Sequence, residues 1–522
     1  MTAVALSLVP EPDHKPFERA DAFGDEVKSV LRSHTMEQKT HSEIEEFINA
    51  KSREWGRLLM EEVLELRAMV EERQRVVDNS GRERESARKT MRHLGTVLGR
   101  VAVPRLGYQS PGTADLHPMD GVLNLPRELY SHGVRRVVAI EAASVSFDEV
   151  VEKVRMYTGT SISKRQVEQL TVRAAQDFDA FYAGRSLSDT ISEDLLIIST
   201  DGKGIVMRHE DLRENTKQAA ERSPRTVESR LMPGQKKNRK RMAQVATVYS
   251  VAPHNRQPQD ILCGSESAPS EEPRPRPTQK RVWASVEKEA KAVIREAFDE
   301  AQRRDPEHKR HWVVLVDGDQ KQLRAVKDEA KRLAADITII ADFVHVLEYI
   351  WDAARALFGE TSAEAEAWVR DQLMGLLTGV SGEETVECIR SWQMRTALSA
   401  SAVAAIDKAC QYLTDPDRML MIQYGKALDL GMPIATGVIE GACRYLVKDR
   451  MDRCGARWSL TGAEAVLRLR AIRSSHDFDE YWKFHLAQEN YRNHASHYEG
   501  ETIPNPLPCA KPKGRPHLKR IK

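Results

Sequence analysis

DLLIISTDGKGIVMR, residues 194–208, is an apolar run interrupted by Asp, Gly and Lys. Its pattern predicts a buried strand from Leu195 to Thr200, a tight turn, and a second strand from Ile205 to Arg208. Working outward, MAQVATVYSVAP (242–253) predicts a third strand. SESAPSEEPRPRPTQ (265–279) reads as a disordered loop, and a helix is predicted over about 280–304. Then HWVVLVDGDQKQLRAVKDEAKRLAADITIIADFVHVLEYIWDAA (311–354) predicts strand 311–316, helix 319–334, strand 336–341 and a helix from 343. That is a βαβ unit with a parallel pair. Residues 360–432 look helical throughout, and further helices are predicted at 437–451 and 461–495. Three antiparallel strands followed by two parallel ones is the order of an RNase H-like fold. The fold class expected is therefore α/β with a mixed sheet, carrying a helical insertion before its last core helix.

Length and composition set the frame. The 522 residues are 41% hydrophobic and 30% charged, which suits a globular chain of several domains. No run of about 18 apolar residues is present, so no membrane partner is expected. The opening MTAVALSLVPEPDHKPFERADAFGDE lacks a basic region before its apolar patch, so it does not read as a signal peptide. Cysteines 263, 388, 410, 443, 454 and 509 form no CxxC pair, which argues against a zinc ribbon and suits a reducing cytoplasm. Net charge is +1, but the average conceals segregation: from Lys217 to Arg241 nine Lys or Arg face two Glu.

Upstream of the strands the chain is mostly helical. Residues 1–94 form a helical N-terminal region, in which 41–75 carry apolar residues at helical spacing. A packing helix is the plain reading of that stretch and a dimerisation helix the sharper one. Residues 95–109 look like a short hairpin. Within 95–190, Ser146 is an N-cap candidate for a helix ending near Gly159, and Ser163 caps a second helix that opens with Lys164, Arg165 and Gln166. Helix, short Gly-containing turn and basic helix start fit a helix-turn-helix, although any helical hairpin gives the same pattern. The remaining divisions are a first core part at 191–358, the helical insertion at 359–432, the last core helices at 433–497 and a basic tail at 498–522.

Three carboxylates stand where chemistry is expected. Asp201 ends the first predicted strand, Asp317 the fourth, and Glu440 lies on a later helix flanked by Gly437, Gly441 and Ala442. In the expected sheet the first and fourth strands are neighbours. Converging carboxylates repel each other, and a hard cation such as Mg²⁺ relieves that repulsion. Two such ions about 3.5–4 Å apart serve phosphodiester chemistry. Taken singly, an Asp before Gly is usually a turn residue and a helical Glu is usually solvated. Asp342 is the main rival for the second position because it too ends a strand; Asp319 and Glu464 are weaker rivals.

The segments TDGKG, NRKRMAQVATVYSVAP, WVVLVDGD, ADFVHVLEYIWDAA, TGVIEGACRYLVKDRMD, GARW and GAEAVLRLRAIRSS resemble bacterial insertion-sequence transposases of the ISKra-four type, as does LNLPRELYSHGVRRVVAIEAASVSFDEVVEKV upstream. The resemblance covers about 120–500. It implies a DDE transposase with Asp201, Asp317 and Glu440 as catalytic and metal-binding residues, and Asp342 as the alternative second ligand. Two Mg²⁺ ions are implied, with Mn²⁺ as a substitute. Asp342 and His345 also resemble an Asp-x-x-His element beside the site, whereas such a His is more often a core residue. The implied partner is DNA, both terminal inverted repeats and target, handled by a cytoplasmic homo-oligomer that joins the nucleoid when bound. Expected DNA contacts are Lys164, Arg165 and Gln166, the basic run Lys236, Lys237, Arg239, Lys240 and Arg241, and Arg444 with Lys448. Trp458 is a stacking candidate but more often core, and PKGRPH in the tail resembles an AT-hook. A DNA-binding protein with an inactive RNase H-like fold, and a metal-dependent nuclease without strand transfer, are the alternative functions.

Overall fold

A computed structural model describes residues 16–84, 86–185, 194–222, 238–262, 274–360, 362–453 and 455–507. The chain divides into two compact units, 1–181 with 479–522, and 182–478.

In the first unit, the helix His41–Met69 opens with a capping box in which Thr40 accepts from the Glu43 amide. It packs on a hairpin of strands β1 (Ser86–Thr96) and β2 (Gly99–Gln109), so the hairpin is longer than predicted and begins at 86. Helices His132–Ala142, Phe147–Thr158 and Lys164–Ala174 share a core of Val134, Val138, Val150, Val154, Val167 and Leu170. Ser146 and Ser163 cap the second and third of these, as their sequence signals predict, and Gly159 turns between them at φ 68°. The helix Phe478–Asn493 belongs largely with this unit rather than with the sheet. Tyr481 Oη donates to the Ala174 carbonyl at 2.6 Å, and the fully buried Arg135 donates to Glu489 at 2.5 Å.

The second unit holds a mixed five-stranded sheet. Its strands are β3 (Leu195–Val206), β4 (Lys240–Val251), β5 (Thr278–Ser285), β6 (Trp312–Val316) and β7 (Ile337–Ala341), in the order β5-β4-β3-β6-β7. β3, β4 and β5 are antiparallel neighbours, whereas β3, β6 and β7 run parallel. Three antiparallel strands and two parallel ones are thus present, but two of the strands differ from expectation. The DGKG segment does not turn: β3 pairs with β4 continuously from Leu195 to Val206. Gly202 and Gly204 are strand glycines because cross-strand side chains press on them; a Cβ there would meet Met242 at 3.1 Å and Lys240 at 2.9 Å. The third antiparallel strand is instead β5, within the segment expected to be helical. That helix begins only at Ala290, after TQKRVWAS has buried Val282 and Trp283 against the sheet.

The parallel half matches its pattern closely. Helix Gln320–Leu333 joins β6 to β7, and helix Phe343–Phe358 follows. Helices from Ala363–Thr378 to Tyr424–Asp429 form the block between β7 and the helix Gly437–Ala442. Leu460–Ser474 packs on β5. No described helix is long and apolar enough to cross a membrane.

Candidate active site

The site is built where the parallel strands end. The β3–β6 ladder closes at Ser199 opposite Leu315, and the β6–β7 ladder at Val316 opposite Ala341. Continued by one or two residues, these registers set Asp201, Asp317 and Asp342 at one level on three neighbouring strands, which lie roughly 4.8 Å apart. Asp201 and Asp317 line the same cleft of about 650 Å³, with Asp319, Gln244, Lys321 and Arg324 around them.

Asp201 sits within β3, opposite Val245. Its Oδ1 accepts from the Gly202 amide at 2.6 Å and its Oδ2 from the Cys443 thiol at 3.1 Å. Burial, and then the Asp201 charge, push that thiol far above its usual range. Cys443 was not foreseen as a neighbour; its position three residues after Glu440, on the same helical face, is the one signal in the sequence that pointed to it.

Asp317 is exposed, and its loop is gripped from the helical insertion. Tyr412 Oη donates to the Asp317 carbonyl at 3.1 Å, and Arg418 donates to the Gly318 carbonyl at 3.1 and 2.8 Å. Gly318 has φ +90°, and a Cβ there would stand 2.9 Å from Tyr412 Oη, so both backbone and space require glycine. Asp319 caps the following helix, accepting from the amides of Lys321 and Gln322, and so has a structural role.

Asp342 is buried and fully engaged. It caps the helix Phe343–Phe358 by accepting from Val344, and it accepts from the Thr436 amide at 3.1 Å and hydroxyl at 2.6 Å. It thereby ties β7 to the approach of the helix Gly437–Ala442. Glu464, the other rival, is buried elsewhere, accepting from Ser285 and from the amides of Val286 and Glu287.

Glu440 is largely exposed on Gly437–Ala442, which packs on β3 and β4. Partial burial raises its pKa, and the negative charges of Asp342, Asp201 and Glu348 raise it further. Glu348 is an addition to the site that its helix position alone did not reveal. After Ala442 the helix widens into a π-helical turn, Cys443–Lys448, a feature frequent at functional sites. Arg470 braces it by donating to the carbonyls of Tyr445 and Leu446.

His345 is not a core residue. It is half-buried, with its ring 5.3 Å from Tyr349 and 5.8 Å from Tyr412, and Nδ1 3.4 Å from Glu348. Among the described residues, no group of three or more His, Cys, Asp or Glu is close enough to hold a metal ion. The donor chemistry nevertheless suits Mg²⁺, which is commonly held by one or two carboxylates and completed by waters and substrate phosphates.

The expected DNA contacts divide. Lys164 is exposed and pairs with Asp148 at 2.7 Å, and Arg165 is exposed. Gln166 is turned inward: its Oε1 accepts from Ser163 and from Tyr130 Oη. Lys236 and Lys237 lie outside the described residues, as do the PKGRPH tail and Cys263, Cys454 and Cys509. Arg239 is exposed, and Lys240 opens β4. Arg241 is tied down, donating to the carbonyls of Val286, Asp211 and Glu287, because it closes the base of the loop between β3 and β4. Arg444 and Lys448 are exposed on the π-helical turn. Trp458 is core, with Nε1 donating to the Met451 carbonyl at 2.9 Å. Compared with known proteins, the chain matches no family model and no curated relative.

Proposed function

We propose that this protein is a DDE-type DNA transposase of a bacterial insertion sequence, resembling the ISKra-four type, with an RNase H-like catalytic unit. The observation that carries the reading is the carboxylate arrangement. Asp201 and Asp317 end up level on adjacent parallel strands and open into one cleft, and Glu440, from far along the chain, stands within electrostatic range of Asp201. The strand order β5-β4-β3-β6-β7 and the helical block before Gly437–Ala442 agree with it.

In this reading Asp201, Asp317 and Glu440 would hold the divalent ions, and Asp342 positions the approach to Glu440 through Thr436. Mg²⁺, when bound, would supply charge neutralisation for the phosphodiester chemistry. Water attacks the phosphorus at the element end and the bond to the 3′-oxygen breaks. The freed 3′-hydroxyl then attacks a phosphorus of target DNA, forming a new phosphodiester as the target's own bond from that phosphorus to its 3′-oxygen breaks and the target 3′-hydroxyl leaves. Lys164 and Arg165 serve end binding.

The test uses DNA carrying the flanks of the protein's own gene. Wild type should nick and join it in Mg²⁺, whereas Asp201→Asn should bind it normally and lose at least about 10³-fold in cleavage, several kcal/mol at about 1.4 kcal/mol per tenfold. Normal cleavage by this variant would remove Asp201 from the site and the reading with it. A second reading is favoured by one observation, the lack of a three-ligand cluster among the described residues. It is a DNA-binding protein with an inactive RNase H-like fold, and wild type that binds these flanks without nicking them would support it. Nicking without joining would instead indicate a nuclease.

A further inference from the structure

A second cleft of about 650 Å³ opens in the sheet-bearing unit, apart from the one that holds Asp201 and Asp317. It lies between the end of β4, the segment before β5 and the turn into Gly437–Ala442. Its charged lining is Arg256, Arg274 and Arg276, with His254 beside them, and no acidic residue stands among the described residues that line it. Arg256 is anchored by neutral groups only, donating to the carbonyls of His254 and Met432. Burial, and then repulsion from Arg274, lower its pKa, and the charge of Asp260, which does not line the cleft, only partly offsets them. Arg274 and Arg276 are exposed and make no ion pair with a described carboxylate.

The sequence makes these arginines a rigid array. They alternate with proline in PRPRP (273–277), and a following proline drives each arginine toward extended backbone. The loss of side-chain and loop entropy on binding is correspondingly reduced. Like charges gathered around a cleft are relieved by an anionic ligand. A water occupies about 30 Å³ in the liquid, so the cleft far exceeds the needs of one small anion.

We infer that this cleft holds the sugar-phosphate backbone of a nucleic-acid strand, with Arg274 and Arg276 as phosphate contacts and Arg256 as the fixed floor. Gly437 and Val438 form part of its wall and Glu440 follows within one helical turn, so the strand held here passes beside the carboxylates. Only that last step, the role of the strand, rests on the transposase reading.

The experiment measures binding of the full chain to fluorescent single- and double-stranded oligonucleotides in EDTA across a salt series. Inorganic phosphate serves as competitor. Relative to wild type, the double variant Arg274→Ala/Arg276→Ala should lose roughly tenfold in affinity at low salt, and its log–log salt slope should fall by about 1.4–1.8, for two contacts. Arg274→Lys/Arg276→Lys should keep most of the slope, which separates charge from misfolding. Unchanged affinity and slope overturn the inference, as expected if Glu271 and Glu272, close by in the sequence, already neutralise the arginines. Displacement by phosphate with no dependence of oligonucleotide binding on the arginines overturns it equally, in favour of a small-anion site. Because EDTA removes any need for cleavage, the two readings fail separately. A chain that binds through this cleft and never cleaves DNA keeps the cleft and loses the transposase. A chain that cleaves DNA but binds it independently of Arg274 and Arg276 does the reverse.

Discussion

Glu489 in the first unit and Glu440 in the second are both glutamates on helices near other charges, and their surroundings shift them in opposite directions. Around Glu489 every charge has a counterpart. Burial alone would raise its pKa, but Arg135 overcomes that and holds it below the ordinary value. Arg135 also donates to His485 Nε2, which leaves the ring proton on Nδ1 for Asp177, and Asp177 is closed by Arg492. Around Glu440 the near charges are carboxylates: Asp342, Asp201 and Glu348. The first arrangement stabilises the fold. The second opposes it unless something positive arrives, and unrelieved repulsion among carboxylates is a mark of a functional site.

The contrast is sharpened first where the effect is largest. Asp317→Asn should lose cleavage by at least about 10³-fold with an unchanged melting temperature, since the residue is exposed. Asp342→Asn should do less to the rate, because its oxygens already serve protein donors. An inactive Asp342→Asn beside an active Asp317→Asn reverses the assignment of the second ligand.

Next, Arg135→Met should destabilise the first unit by about 3–5 kcal/mol in urea unfolding, because it strands Glu489 without its buried partner. Glu489 has a lowered native pKa, so the stability it contributes is present above the ordinary glutamate value of about 4.3 and is lost as pH falls through the native one. The gap between wild type and variant should therefore shrink in acid. A gap that is constant with pH would show that lost packing, not charge, is responsible.

Thr436→Val comes third. It removes a hydroxyl donor from the buried Asp342 and should cost about 1–3 kcal/mol. A change below a few tenths would mean that water replaces the hydroxyl and that the tether is weak. The smallest effect is expected at Glu440. Its native pKa is raised, so ionisation on going from acid to neutral pH works against folding, and stability falls as pH rises through the ordinary and then the raised value. Glu440→Gln should then raise the melting temperature slightly at pH 7 and leave it unchanged at pH 4. A lower melting temperature at pH 7 would mean that Glu440 is paired after all.

Local patterns alone were enough for several elements. The caps at Ser146 and Ser163, the β6–helix–β7 unit and the helical block follow from periods of 2 and 3.6 and from capping chemistry, which act over a few residues. Asp201 and Asp317 were legible as candidates for the same reason, since each follows an apolar strand run. The same local logic misread DGKG, because two glycines signal a turn unless a long partner strand passes over them, and here β4 does. It also took KRVWAS (280–285) for the start of a helix, because the competing attraction was the distant edge of β4. The expected count of antiparallel strands thus survived because two predicted strands merge into β3 and β5 is added.

What tertiary structure alone decided is who meets whom. Cys443 reaches Asp201 across 242 positions, Thr436 reaches Asp342 across 94, and Tyr412 reaches Asp317 across 95. No spacing rule encodes such pairs, because they depend on how the helical block returns the chain to the sheet. The same folding turned Gln166 and Arg241 inward, toward backbone and side-chain partners, while leaving Lys164, Arg165, Arg444 and Lys448 on the surface. Residue type and period determined which groups this chain carries and on which elements. The burial that closes the fold determined which of those groups have partners, and so which charges are left to act on something else.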